Sequence, residues 1–315
     1  MNTQNTPSAG RGGLLDRPRP VVGGLVYSSA VVGLVLVSFL FSITVALISS
    51  ATDTPVADLQ ATDAYKHLSY LVNQLLFLAV IFAFAFSGRQ KPRDFGFRKV
   101  RPRYILVSLL LAFGLLFSLN WVNGLFVQLL EWMGYRMPAS QLPSLEGAGF
   151  FGVLLVVAVL PALCEETLFR GIILEGIKEL GTVAACLLGG LIFSVFHMNP
   201  PQTIYQFICG AAFTLLAIRA GSVWPAVLAH FINNAVIIFD SKFGFLSKIS
   251  EGGAIAVYIV SAVCLVAALA YLIFFDRKSD RKKEGAIKPF LFSALVGLIL
   301  CAVVWVANFA VGLGG

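Results

Sequence analysis

Apolar runs of about 20 residues recur along this chain from residue 22 to residue 312, and they leave it few folds to choose from. A helix rises about 1.5 Å per residue, so a run of about 20 residues crosses a hydrocarbon core roughly 30 Å thick. Within that core every backbone amide has to find its partner inside the segment, which favours helices. Only 12% of the 315 residues are charged and 58% are hydrophobic. That charged share is about half of what a soluble domain carries. The chain therefore reads as an integral membrane protein, an all-α polytopic bundle. Its formal charge of +7 does not point to nucleic acid, because the basic residues lie between the apolar runs, where they set orientation.

Residues 1–20 are rich in Gly, Pro, Asn and Thr and read as a disordered cytoplasmic tail. Residues 21–312 read as one transmembrane domain. Candidate spans lie at about 22–50, 68–87, 104–130, 149–178, 182–198, 203–219, 222–240, 253–275 and 287–312, which makes eight to nine crossings. The run 203–219 is short and follows the helix-breaking Pro200-Pro201. The first run is too long for a signal-peptide core and has no clear cleavage site. The loop 51–67 carries Asp53, Asp58 and Asp63, whereas the loops 88–103 and 276–288 are strongly basic. Placing the basic loops inside gives a cytoplasmic N-terminus, and nine crossings then satisfy the parity. The same basic runs could also attract anionic lipid. The five cysteines, Cys164, Cys186, Cys209, Cys264 and Cys301, all lie in apolar runs without CxxC spacing and read as packing residues.

Against this background a few polar residues stand out. Glu165, Glu166 and Arg170 fall within one apolar run, and each ionisable group at bilayer depth costs roughly 3 kcal/mol. Glu166 and Arg170 are four apart and can pair, while Glu165 is rotated by about 100° and faces elsewhere. Phe193 with His197, and His230 with Asn234, share the same spacing on later helices. Counted from helix ends at 178, 182 and 222, Glu165 lies about 20 Å deep, His197 about 22 Å, His230 about 12 Å and Asn234 about 18 Å. The alternating direction of the helices lets these residues meet at one level. Each pair taken by itself has a blander account, as an ion network bracing the bundle or an interhelical hydrogen bond. Together they hold the parts for amide hydrolysis. A carboxylate and an imidazole can activate water, and a second histidine with an asparagine can donate to a developing oxyanion. Alternatively Glu165, His197 and His230 could ligate Zn2+, although the HExxH spacing of a zinc helix is absent. The sequence leaves both chemistries open. Cys164 beside the glutamates is a poor nucleophile candidate in so apolar a setting.

The stretch Glu165-Glu166-Thr167-Leu168-Phe169-Arg170 resembles the EExxxR motif of the CAAX-protease and bacteriocin-processing (CPBP, or Abi) family of intramembrane proteases. Phe193 to His197 matches its FxxxH motif, His230 to Asn234 its HxxxN motif, and Ser222-Val223-Trp224-Pro225-Ala226 is also similar. The resemblance spans about 149–240. It implies a CAAX-protease-like core and an intramembrane endopeptidase acting on a membrane-associated peptide, lipidated or of bacteriocin type. In family terms Glu165 would be the general base, aided by His197. His230 and Asn234 would stabilise the oxyanion, and Glu166, Arg170 and Phe193 would support them. The family is described both as zinc enzymes and as metal-free glutamate enzymes. Eukaryotic relatives trim prenylated CAAX proteins, and prokaryotic ones are tied to bacteriocin maturation or immunity. A prokaryotic plasma membrane is the expected location, with lipid and peptide as partners and no nucleic acid. The competing expectation is a non-proteolytic immunity factor or transporter that keeps the fold. A transporter would be expected to carry an internal repeat, and the sequence has none.

Overall fold

The computed structural model describes residues 19–87, 91–137, 142–276, 285 and 287–314. The expected tail up to residue 18, and basic residues such as Arg89 and those at 277–283, lie outside the described residues. Long helices follow one another: α1 (Arg19–Thr52), α2 (Asp63–Ser87), α3 (Arg103–Trp132), α4 (Ala148–Leu180), α5 (Thr182–Phe196), α6 (Pro200–Ala220), α7 (Trp224–Phe243), α8 (Glu251–Phe275) and α9 (Ile287–Gly314). No strand occurs among the described residues.

Seven of these helices, α1 to α4, α6, α8 and α9, are long and apolar enough to cross a membrane. The other two positions where the sequence suggested crossings, α5 and α7, also run from one end of the bundle to the other but are shorter or less apolar, for identifiable reasons. α5 has 15 residues, because the chain turns at His197 and re-enters through Pro200-Pro201. α7 carries His230, Asn233, Asn234, Asp240 and Lys242, which dilute its apolar character. The short run after Pro200 proves a full-length apolar helix once its opening 3-10 turn is included. α3 is one run in sequence but breaks at Leu119, between Ser118 and Asn120.

Large apolar side chains face outward all along the bundle, such as Phe86 at 79% and Phe292 at 84% exposure. In water such a surface would aggregate; in a bilayer it is the solvent-facing side. This is an integral membrane protein.

Polar bonds fix the two ends. At one end Arg19 pairs with Glu175 and Arg103 with Asp276, and Val223 N donates to Gly96 O, so the basic loop after α2 lies with the starts of α3 and α7. At the other end Arg136 N donates to Gly312 O, Asn308 to Met198 O, and Ser144 N to Asp63. The core between them is aromatic: Phe169 of α4 packs edge-on against Phe193 and Phe196 of α5, with ring centroids 5.0 Å apart in both pairs.

α5 and α6 cross closely because glycines face each other. A Cβ on Gly190 would stand 2.6 Å from Phe207 O, and one on Gly210 would stand 2.9 Å from the Gly190 Cα. Small residues of this kind set helix approach in membranes. Gly190→Val is expected to cost about 1–3 kcal/mol. It should lower the melting temperature in detergent. Gly124→Ala, whose Cβ would meet nothing within 4 Å, should not. Equal melting of the two variants would show that the crossing is not tight.

Candidate active site

α4 presents the two glutamates in opposite circumstances. Glu166 is fully buried, and its Oε1 accepts hydrogen bonds from Arg170 Nη1 and His230 Nδ1, each at 2.9 Å. Arg170 Nη2 donates to Gly210 O at 3.0 Å, and its guanidinium lies 4.4 Å over the Phe193 ring. One carboxylate thus ties α4 to α6 through its arginine and to α7 through its histidine. Glu165, one residue back, makes no side-chain hydrogen bond among the described residues, and its Oε2 is buried without a partner, as is the second oxygen of Glu166. A buried polar atom left over in this way calls for a reason.

Glu165 opens on a cavity of about 390 Å3 that His197, His230 and Asn234 also line. A concave site of this size with few convergent polar groups is the usual form of a small binding site. His197 stands just beyond the end of α5. Its Nδ1 meets Phe193 O at 2.7 Å. A carbonyl can only accept, so Nδ1 carries the hydrogen, and in the neutral ring Nε2 keeps its lone pair. Phe193 therefore does two jobs: its carbonyl fixes the His197 tautomer and its ring carries the Arg170 cation. For His230 the same logic places the hydrogen on Nδ1, which donates it to Glu166 Oε1, and its ring stacks on Phe213 at 6.0 Å. His230 can then donate into the cavity from Nε2 only when both ring nitrogens carry a hydrogen. Asn234 spends one N–H on Val157 O at 2.9 Å and keeps the other.

Residues 147–236 match the family model described as type II CAAX prenyl endopeptidase, Rce1-like. The match runs from the start of α4 into α7, covers every motif quoted above and is consistent with a CPBP-family protease. No curated protein and no solved structure matches the chain.

The Rce1-like segment does not make the cavity alone. Tyr70 of α2 and Asn123 of α3 also line it. Within the segment, Tyr205 OH donates to Asn233 Oδ1 at 2.6 Å, and Asn233 Nδ2 donates to Asn234 Oδ1 at 3.3 Å. Asn233 also lines the cavity and holds its neighbour in place. No sequence spacing announces Tyr205, because a single tyrosine in an apolar run has no periodic partner.

The zinc expectation fares differently. Glu165, His197 and His230 line one cavity, but among the described residues no three His, Cys, Asp or Glu side chains are gathered closely enough to hold a metal ion. A catalytic zinc site needs three such ligands at about 2 Å. As the side chains stand, those three ligands are not gathered around one point.

Proposed function

We propose that this protein is an intramembrane endopeptidase in which Glu165 activates water to cleave a membrane-associated peptide. The observation that carries the reading is the unspent Glu165 carboxylate, facing the same cavity as His197, His230 and Asn234. Water held between Glu165 and the Nε2 lone pair of His197 loses a proton to Glu165 as its oxygen attacks the scissile carbonyl. The oxyanion that forms is met by His230 as an imidazolium and by the second N–H of Asn234. Glu165 then returns the proton to the leaving amine. Glu166 and Arg170 touch no substrate here; they orient His230 and anchor the helices. The substrate class is a peptide of CAAX or bacteriocin type, lipidated or not, reached in a prokaryotic plasma membrane with the basic loops on the cytoplasmic side.

The test is peptide release from a membrane-anchored fluorogenic peptide, with full-length protein in proteoliposomes. His197→Ala and His230→Ala are each expected to lose roughly 100-fold or more in turnover. A chelator is expected to leave the wild type unchanged, and loss of turnover restored by zinc would replace the glutamate mechanism with a metal one. Turnover by both histidine variants at the wild-type rate would overturn the assignment.

A further inference from the structure

A second cavity, of about 540 Å3, lies at the basic end of the bundle, between the starts of α3 and α7. Its walls are Ile105, Trp224, Pro225 and Leu228, and its rim carries Arg98 and Lys99. Ile105 and Trp224 are 50% and 46% exposed on the outward surface, so the walls open toward the bilayer. Phe97 meets Trp224 edge-on at 5.1 Å, at the level where aromatic rings gather at a membrane interface.

The rim cations are unspent. Arg98 uses Nε on Arg93 O at 3.2 Å, which leaves its terminal amino groups available. Among the described residues neither Arg98 nor Lys99 pairs with a carboxylate. Asp94, the acid of this loop, is occupied in accepting from Lys91 N at 2.8 Å. Nor is the rim a loose surface strand. Val223 N donates to Gly96 O at 3.0 Å and Ser222 Oγ to Arg98 O at 2.9 Å. Gly96 takes the left-handed conformation at φ +82 that this turn requires. On its other side the loop presses on α4, where a Cβ on Gly171 would lie 2.6 Å from Phe95 O. The loop is thus pinned to α4 and to the start of α7, two of the helices that carry site residues.

We infer that this cavity holds one anionic phospholipid, its phosphate between Arg98 and Lys99 and an acyl chain along Ile105, Trp224 and Leu228. Charge selects the headgroup and the apolar walls select a lipid over a soluble anion, which would leave those walls empty. A lipid held there braces the first turn of α7, six residues before His230. Binding rather than turnover tests this site, so its outcome is independent of the protease reading.

The experiment is native mass spectrometry of the full chain released from detergent and titrated with phosphatidylglycerol, phosphatidylcholine or inorganic phosphate. One phosphatidylglycerol is expected to bind in preference to phosphatidylcholine and to raise the melting temperature. Arg98→Ala with Lys99→Ala should weaken it roughly thirtyfold, at the usual strength of two interfacial cations. Arg93→Ala with Arg101→Ala removes the same charge outside the cavity and should weaken it threefold or less. Leu228→Trp fills the cavity with the charges intact and should expel the lipid. Equal losses in the two charge variants, retention by Leu228→Trp, or displacement by inorganic phosphate at equal concentration would each overturn the site.

Discussion

Replacing Glu165 by glutamine is expected to lower peptide-bond hydrolysis by roughly two to four orders of magnitude while leaving the melting temperature of the bundle unchanged. The two halves of that expectation have separate physical sources. The Glu165 side chain makes no hydrogen bond among the described residues, so the fold loses no bond when its charge goes. Glutamine has the same shape and fills the same space in the cavity wall. What it lacks is a basic oxygen, and only the step that needs one should suffer. The loss should therefore appear in kcat, with KM little changed, as for an interaction made in the transition state alone. Proteoliposome assays and thermal melts on the same preparation measure both quantities. Turnover within tenfold of wild type would remove Glu165 as the base. Absence of turnover in the wild type on every anchored peptide tried would favour the non-proteolytic reading, an immunity factor or transporter on this fold.

What could be read from the sequence, and what could not, follows from the range of each signal. The helices were legible because crossing a bilayer imposes a length, and length is visible in one dimension. The pairing of Glu166 with Arg170 was legible because i,i+4 neighbours meet within one helix. The second contacts of Arg170, with Gly210 O and the Phe193 ring, depend on how α4, α5 and α6 cross, which no local spacing encodes. The same holds for the chain from Tyr205 through Asn233 to Asn234. α4 also contains π-helical turns at Leu154–Val159 and Thr167–Ile173. Over a single turn, the apolar patterns of an α-helix and a π-turn are indistinguishable, so these wide turns gave no warning. The break of α3 at Leu119 was hidden for a related reason: Asn120 and Asn123 are too few to interrupt an apolar run. Depth is the coarse quantity that a sequence does carry. Counting rise per residue puts Glu165, His197 and Asn234 about 18–22 Å deep and His230 only about 12 Å deep, yet all four line one cavity.

Glu166→Leu is expected to be the most destabilising single change in the core, at about 3–5 kcal/mol. Its carboxylate is 0% exposed, and Oε1 alone receives both Arg170 and His230. Without it the guanidinium stays buried, with Gly210 O as its remaining hydrogen-bond acceptor, and its charge is uncompensated. His230 loses the acceptor that sets its tautomer, so turnover should fall together with stability. A double variant separates these effects. Glu166→Leu with Arg170→Met removes both charges and keeps apolar volume, an exchange that is often near neutral for buried pairs. It should recover most of the lost melting temperature, giving a favourable coupling between the two sites. It should not recover turnover, because His230 Nδ1 still lacks its carboxylate. A double variant as unstable as the single one would mean that Glu166 acts through shape, and the ion pair would no longer account for why three helices meet at this residue. Stability restored without activity would instead locate the contribution of the pair to turnover in how it holds His230, through the hydrogen bond from His230 Nδ1 to Glu166.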